Sequence, residues 1–244
     1  MKVLFVIPAF NEEAALPALL ENLRQCAQKA GWNYQALVVD DGSSDGSAKV
    51  ARAAGVRVLR LCRNLGIGGA VQAGLKVAQR EGFDFAFQLD GDGQHPPSEA
   101  AKFLACAASD PPPDLVLGSR YLNKNGFRST ALRRLGGRFL SALLRTVTGL
   151  RVTDPTSGYR LYGKRALRLF CQNYPYDYPE PEALAMARAA QLEVQEISVA
   201  MQERQGGRSS IFGLNAPYYM LKVSLAAVLS YVRTRLQNRR QDGV

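Results

Sequence analysis

Short apolar runs alternate with longer amphipathic stretches through the first half of this chain, and few folds accommodate that alternation. Val3 to Ile7, Ala36 to Val39, Val56 to Leu61, Phe83 to Leu89 and Leu115 to Gly118 read as strands. Their near-continuous apolar character suits strands covered on both faces. Between them, Glu12 to Ala30, Ser47 to Ala54, Gly68 to Arg80 and Pro97 to Ala108 read as helices, the first carrying Leu16, Leu19, Leu20 and Leu23 on one face. Strand and helix in succession predict a mostly parallel α/β sheet flanked by helices.

Sheets of this kind bind ligands beyond the carboxyl ends of their strands, so the loops there carry the functional reading. Pro8, Ala9, Phe10, Asn11 and Glu12 follow the first strand; Asp40 to Gly46 follows the second; Arg63 to Gly69 follows the third. Each has a purely local explanation. Asp-Asp-Gly-Ser-Ser-Asp is a good turn and helix cap, and Gly66, Gly68 and Gly69 suit a tight turn into a helix, although Arg63 beside them also suits an anion.

The fourth loop, within QLDGDGQHPP, places Asp90 and Asp92 two apart after an apolar run. Hard oxygen ligands favour Mg²⁺ or Mn²⁺, and Gln94 offers a third oxygen. A solvated surface turn yields the same triplet. Four such loops at one sheet edge favour a nucleotide site. His95, the only histidine, follows the triplet directly and suits either support of a metal site or a helix entry before Pro96 and Pro97.

With 244 residues, 47% hydrophobic and 21% charged, the chain suits one large domain, or one domain and an appendage. Its four cysteines follow no disulfide or metal-ligand spacing, which points to a reducing, cytosolic setting. The apolar start is cut short by Pro8, Glu12 and Glu13, so it reads as a strand rather than a signal peptide. A net charge of +10 calls for an anionic partner. The arginines of Arg128 to Arg145 and Arg233 to Arg240 lack interleaved aromatics, which speaks against nucleic acid and leaves nucleotide phosphates or a membrane surface.

VIPAFNEE, VVDDGSSDGS, RNLGIGGAVQAGL and QLDGDGQHPP, in this order, resemble the family-2 inverting nucleotide-sugar glycosyltransferases of GT-A fold, especially the polyprenyl-phosphate sugar synthases akin to dolichyl-phosphate mannose synthase. The resemblance covers roughly residues 1 to 210. It displaces a dinucleotide dehydrogenase, whose glycines would follow the first strand, and a nucleotidyltransferase, whose first loop would be glycine-rich and carry a lysine. It implies that Pro8, Ala9, Asn11 and Glu12 line the base and ribose pocket, that Asp41 with Asp40 meets the base, and that Gly68 and Gly69 admit the nucleotide. Asp90 and Asp92, with Gln94, would hold the cation on the donor diphosphate, Asp92 acting directly in catalysis.

Farther along, Gly118 to Tyr121 is similar to the family motif that lends an arginine, here Arg120, to a phosphate; a plain surface charge is the other reading. Asp154 to Arg160 resembles the acceptor-side loop, offering Ser157 and Arg160. Glu180 and Glu182 stand where relatives carry an acidic base motif, though its Glu-Asp pair is missing, and acidic residues also suit a first helical turn. A strand from Leu192 to Val199 leads to Glu203 to Ser210, similar to a closing loop, with Arg208 and then Arg204 as phosphate ligands. Thr130 to Val147 and Leu214 to Val232 read as apolar-striped helices with basic flanks, suited to a core or to an anionic membrane, and the second is too interrupted to span a bilayer.

The chain is thus expected to form a GT-A domain over residues 1–212 and an amphipathic helix with a basic tail over 213–244. It would be a metal-dependent inverting transferase from a nucleoside-diphosphate sugar to a polyprenyl phosphate, peripheral on the inner face of the membrane. The alternatives are a soluble saccharide or other glycan acceptor and, more remotely, a binding module without turnover. A homo-oligomer is compatible with all of these.

Overall fold

A computed structural model describes residues 1–122, 131–176, 179–202 and 216–241. Among these, seven strands form one sheet in the order β3-β2-β1-β4-β6-β5-β7: β1 Val3–Ala9, β2 Tyr34–Asp40, β3 Arg57–Arg60, β4 Phe85–Gln88, β5 Leu115–Ser119, β6 Arg160–Tyr162 and β7 Val194–Ser198. β6 runs antiparallel between β4 and β5, and the other neighbouring pairs are parallel. The helices are α1 Leu16–Ala30, α2 Ser47–Ala53, α3 Gly66–Arg80, α4 Ala100–Ala107, α5 Ala131–Thr148, α6 Lys164–Gln172, α7 Pro179–Ala189 and α8 Ala216–Gln241.

The alternating side chains of β1 divide the core. Leu4 and Val6 pack with α3, α6 and α7, together with Leu144 of α5 and Ala227 of α8. Val3, Phe5 and Ile7 face α1 and α4 through Leu16, Leu19, Leu23 and Phe103. All seven β1 residues are buried, consistent with their continuous apolar run.

The element ends show where tertiary contacts override local pattern. α1 begins at Leu16 rather than Glu12, because the Glu12 amide donates to Ser47 Oγ at 2.8 Å and the Glu13 amide to Asp45 Oδ2 at 3.1 Å. These bonds hold the preceding residues in the loop. α7 begins at Pro179, which places Glu180 and Glu182 in its first turn. α8 continues to Gln241 through residues expected as a tail, and α6 and β6 were not foreseen.

Candidate functional site

Connections leave β1 towards β2 on one side, while β4 lies on the other, so the crevice of this sheet opens at the carboxyl ends of β1 and β4. Two loops are sewn together on its β1–β2 side. Asn11 adopts φ 56°, a left-handed conformation that asparagine tolerates, and its Oδ1 accepts the Ser44 amide at 2.9 Å. Its own amide donates to Ser43 Oγ at 3.0 Å, and the Gly46 amide donates to Glu13 Oε2 at 2.8 Å. Pro8, Ala9, Asn11 and Glu12 thus stand beside the β2 loop.

Asp40 and Asp41 are buried in this wall. Asp40 Oδ1 accepts the Ser43 amide at 2.9 Å and its Oδ2 lies 3.2 Å from Arg60 Nε. Asp41 Oδ1 accepts the Leu65 amide at 2.7 Å, tying the β2 loop to the start of α3; burial, ahead of other influences, pushes its carboxyl above the usual range. The α3 glycines have a packing role that sequence reasoning missed. A methyl on Gly68 would lie 2.1 Å from the Pro175 carbonyl oxygen, and one on Gly69 would lie 2.5 Å from Leu65 Cβ. Close chain packing is by itself a reason for glycine at both positions.

Across the crevice, the Asp90–Asp92 turn follows β4. The Gly91 amide donates to the Pro8 carbonyl at 3.2 Å, and a methyl there would come within 2.9 Å of that oxygen. The turn is therefore pressed against the end of β1. Asp92 is buried, with Oδ1 accepting the Gln94 amide at 2.9 Å, while the Asp90 side chain is 28% exposed. His95 supports this turn: its Nδ1 accepts the Asp90 amide at 3.1 Å, and its ring stacks on Tyr159 at 4.5 Å. Among the described residues no three His, Cys, Asp or Glu converge into a closed metal cage. A carboxylate pair alone fits Mg²⁺ or Mn²⁺, which take their remaining ligands from water and substrate phosphate.

The far wall is a network joining β5, β7 and the loop at 152–158. Arg120 Nε and Nη2 donate to both oxygens of fully buried Asp154 at 2.7 and 2.8 Å, and Nη2 also reaches Thr156 Oγ1 at 3.0 Å. Glu196 accepts the Thr153 and Asp154 amides, and burial is the chief influence raising its carboxyl. Arg120, expected as a phosphate ligand, is thus occupied in holding a loop.

Arg160 and Ser157, expected on the acceptor side, also make internal contacts. Arg160 is completely buried, its Nε donating to the Ser157 carbonyl at 2.9 Å and its Nη2 to the Glu180 carbonyl at 2.7 Å, while Nη1 has no hydrogen-bond partner among the described residues. Ser157 is buried too, with Oγ accepting the Tyr159 amide at 3.3 Å. Together these contacts tie the loop to the first turn of α7.

The two candidate bases separate. Burial pushes the Glu180 carboxyl up, with Asp90 raising it further and Arg160 and Arg120 opposing, so Glu180 feels the charges of the crevice. Glu182 instead accepts Ser230 Oγ of α8 at 2.5 Å and lines a polar hollow of about 350 Å³ with Gln72, Tyr176 and Arg233. Arg204 and Arg208 lie outside the described residues. A second hollow, of about 810 Å³ between α1, α2, β2 and β3, contains no candidate site residue.

Comparison with known proteins agrees with this geometry. A family model described as Glycosyl transferase family 2 matches residues 4–170. The undecaprenyl-phosphate mannosyltransferase of Micrococcus luteus is 30% identical, over 87% of this chain and 88% of that protein. The UDP-N-acetylglucosamine–dolichyl-phosphate N-acetylglucosaminyltransferase of Methanococcus voltae is 29% identical, over 93% and 98%. Among solved structures, glucosyl-3-phosphoglycerate synthase from Mycobacterium tuberculosis, in complex with Mn²⁺, UDP and glucosyl-3-phosphoglycerate, superposes with a TM-score of 0.70 at 19% identity, covering 96% of this chain and 79% of that one. The fold is GT-A.

Proposed function

The chain belongs to glycosyl transferase family 2, and we propose that it moves a sugar, with inversion, from a nucleoside diphosphate to a polyprenyl phosphate. The observation that carries this reading is the Asp90–Asp92 turn pressed against Pro8 at the sheet crevice, with Glu180 within its electrostatic reach. The acceptor class rests on the relatives, which are named for undecaprenyl and dolichyl phosphates.

In this reading Pro8, Ala9, Asn11 and Glu12, with Asp41 and Asp40 behind them, form the wall for base and ribose. Asp90 and Asp92, with Gln94, would hold Mg²⁺ or Mn²⁺, which when bound neutralises charge on the departing diphosphate. The acceptor oxygen forms a bond to the anomeric carbon as the bond to the diphosphate oxygen breaks on the opposite face. A phosphate acceptor is already ionised and needs no strong base. Glu180, ionised above its raised pKa, would be the proton acceptor for a hydroxyl. Arg208 and Arg204 are proposed to close over the phosphates.

The proposed location is the cytosolic membrane face. Tyr218, Leu221, Leu225, Leu229, Val232 and Leu236 of α8 are each 47–69% exposed. They fall within about 80° of the helix circumference over about 27 Å, opposite buried Val223, Ala227 and Thr234. Lys222 and Arg233 flank the stripe on one side and Arg235 on the other. On α5, exposed Leu135 and Phe139 accompany Arg134 and Arg138. One face of α8 therefore packs on the core while the other suits an anionic bilayer surface. Among the described residues, no helix is long and apolar enough to cross a membrane. Flotation with anionic but not neutral liposomes, lost in Leu225→Glu/Leu229→Glu, is the expected result; equal flotation of both proteins would contradict it.

A soluble phosphorylated acceptor is the second reading, favoured by the structural likeness to glucosyl-3-phosphoglycerate synthase. Incubation with UDP- and GDP-sugars and either undecaprenyl phosphate or 3-phosphoglycerate separates the two. Labelled sugar in the organic phase supports the polyprenyl reading, and label only on the aqueous acceptor replaces it.

A further inference from the structure

Gln88, Tyr162 and Tyr174 lie behind the carboxylate turn, where none would touch a substrate, and we infer that they form a buried positioning relay that sets the Asp90 carboxylate for a divalent cation. The inference rests on the metal-dependent reading above. Gln88 is a 2%-exposed amide closing a strand that otherwise reads Phe85, Ala86, Phe87. Its Nε2 donates to Asp90 Oδ1 at 3.2 Å, and its Oε1 accepts from Tyr162 Oη at 2.9 Å. Tyr162 Oη in turn lies 3.1 Å from Tyr174 Oη.

The direction of every bond follows from the carboxylate. A carboxylate only accepts, so the amide turns Nε2 towards Asp90 and Oε1 away. Tyr162 must then spend its single hydrogen on that Oε1, and Tyr174 must donate to Tyr162. Tyr162 is completely buried, so its bond to Gln88 lies away from solvent, while Tyr174 borders the polar hollow. His95 fixes the Asp90 backbone by accepting its amide, while Gln88 fixes Oδ1; Oδ2 lies 3.6 Å from His95 Nδ1 on a side chain that is 28% exposed, and is the oxygen the inference leaves for the cation. Gly158 leaves the space this requires: a methyl there would lie 3.0 Å from Gln88 Nε2 and 3.1 Å from Asp90 Oδ2. Groups that orient a metal ligand from behind ordinarily change metal affinity by about 10- to 100-fold when removed.

The test is titration of the full chain with Mn²⁺ in the presence of UDP, reading free Mn²⁺ by electron paramagnetic resonance. Gln88→Met, similar in volume but without the amide, should weaken Mn²⁺ binding by about 10-fold or more. Tyr162→Phe, which keeps the ring and touches neither Asp90 nor the cation site, should produce a smaller loss in the same direction. Adding Tyr162→Phe to Gln88→Met should change nothing further. In turnover, both variants should raise the Mn²⁺ concentration needed for half-maximal rate while leaving the rate at saturating Mn²⁺ close to wild type. Folded variants that bind Mn²⁺ like wild type, or additive effects in the double variant, would reduce the relay to core packing. Failure of the wild type to bind Mn²⁺ would overturn the metal reading and the relay together.

Discussion

Replacing Arg120 by Met tests whether this residue holds the protein together before it serves any substrate. Its guanidinium is 11% exposed and makes a two-pronged contact with Asp154, whose side chain is completely buried. Arg120→Met leaves that carboxylate with the residue 120 amide at 3.1 Å and Thr156 Oγ1 at 3.3 Å. Breaking one partner of a buried ion pair costs about 3–5 kcal/mol. For a chain of this length, 1 kcal/mol corresponds to about 2–4 °C, so the melting temperature should fall by about 6–20 °C. Calorimetry at pH 7 measures this. Arg120→Met/Asp154→Leu should recover most of the loss, because an apolar pair needs no compensation for buried charge. A single variant within about 2 °C of wild type, or a double variant as unstable as the single, would refute the reasoning. Once folded, the double variant also reports on substrate: a rate close to wild type would give Arg120 a structural role only.

Glu180→Gln should be more stable than wild type at pH 7. A carboxyl raised by burial binds its proton more tightly when folded, so wild-type stability falls as pH rises from its ordinary value of 4.5 through the folded pKa; urea unfolding across this range should show the gap closing in acid. Glu182→Gln keeps an oxygen acceptor for Ser230 and stands outside the crevice, so its pH–rate profile should match wild type. Gly68→Ala drives a methyl against the Pro175 backbone and should cost about 1–3 kcal/mol, measured by denaturant midpoint.

Periodicity made much of this fold legible, because β1, β4 and β5 are mostly apolar runs buried throughout and β2 is buried from Leu37 to Asp40. β6 was hidden: three residues led by an arginine do not advertise a buried strand, and the Ser157 and Glu180 carbonyls help make Arg160 tolerable there. The start of α7 was partly legible, since Glu180 and Glu182 suit a first helical turn and proline is accepted there. At the site, Asp90 and Asp92 were visible as residue types at a strand end. Long-range contacts were not: Arg120 meets Asp154 and Tyr162 meets Gln88 across 34 and 74 residues. The polar Gln88 breaking an apolar strand was the available signal for the latter. The α8 stripe was visible in sequence, but only packing showed that it faces away from the core.

The most direct test of the central claim is a thermal-shift titration with UDP, GDP and dTDP, each with and without Mn²⁺, on the wild type and Asp92→Ala. A nucleotide at 100 times its dissociation constant adds about 2.7 kcal/mol, which corresponds to about 5–10 °C here. The account predicts such a shift for one nucleotide, dependent on Mn²⁺ and lost in Asp92→Ala. A wild type that shifts with none of the three, or an Asp92→Ala variant that shifts equally, would contradict a metal-dependent nucleotide site at this turn.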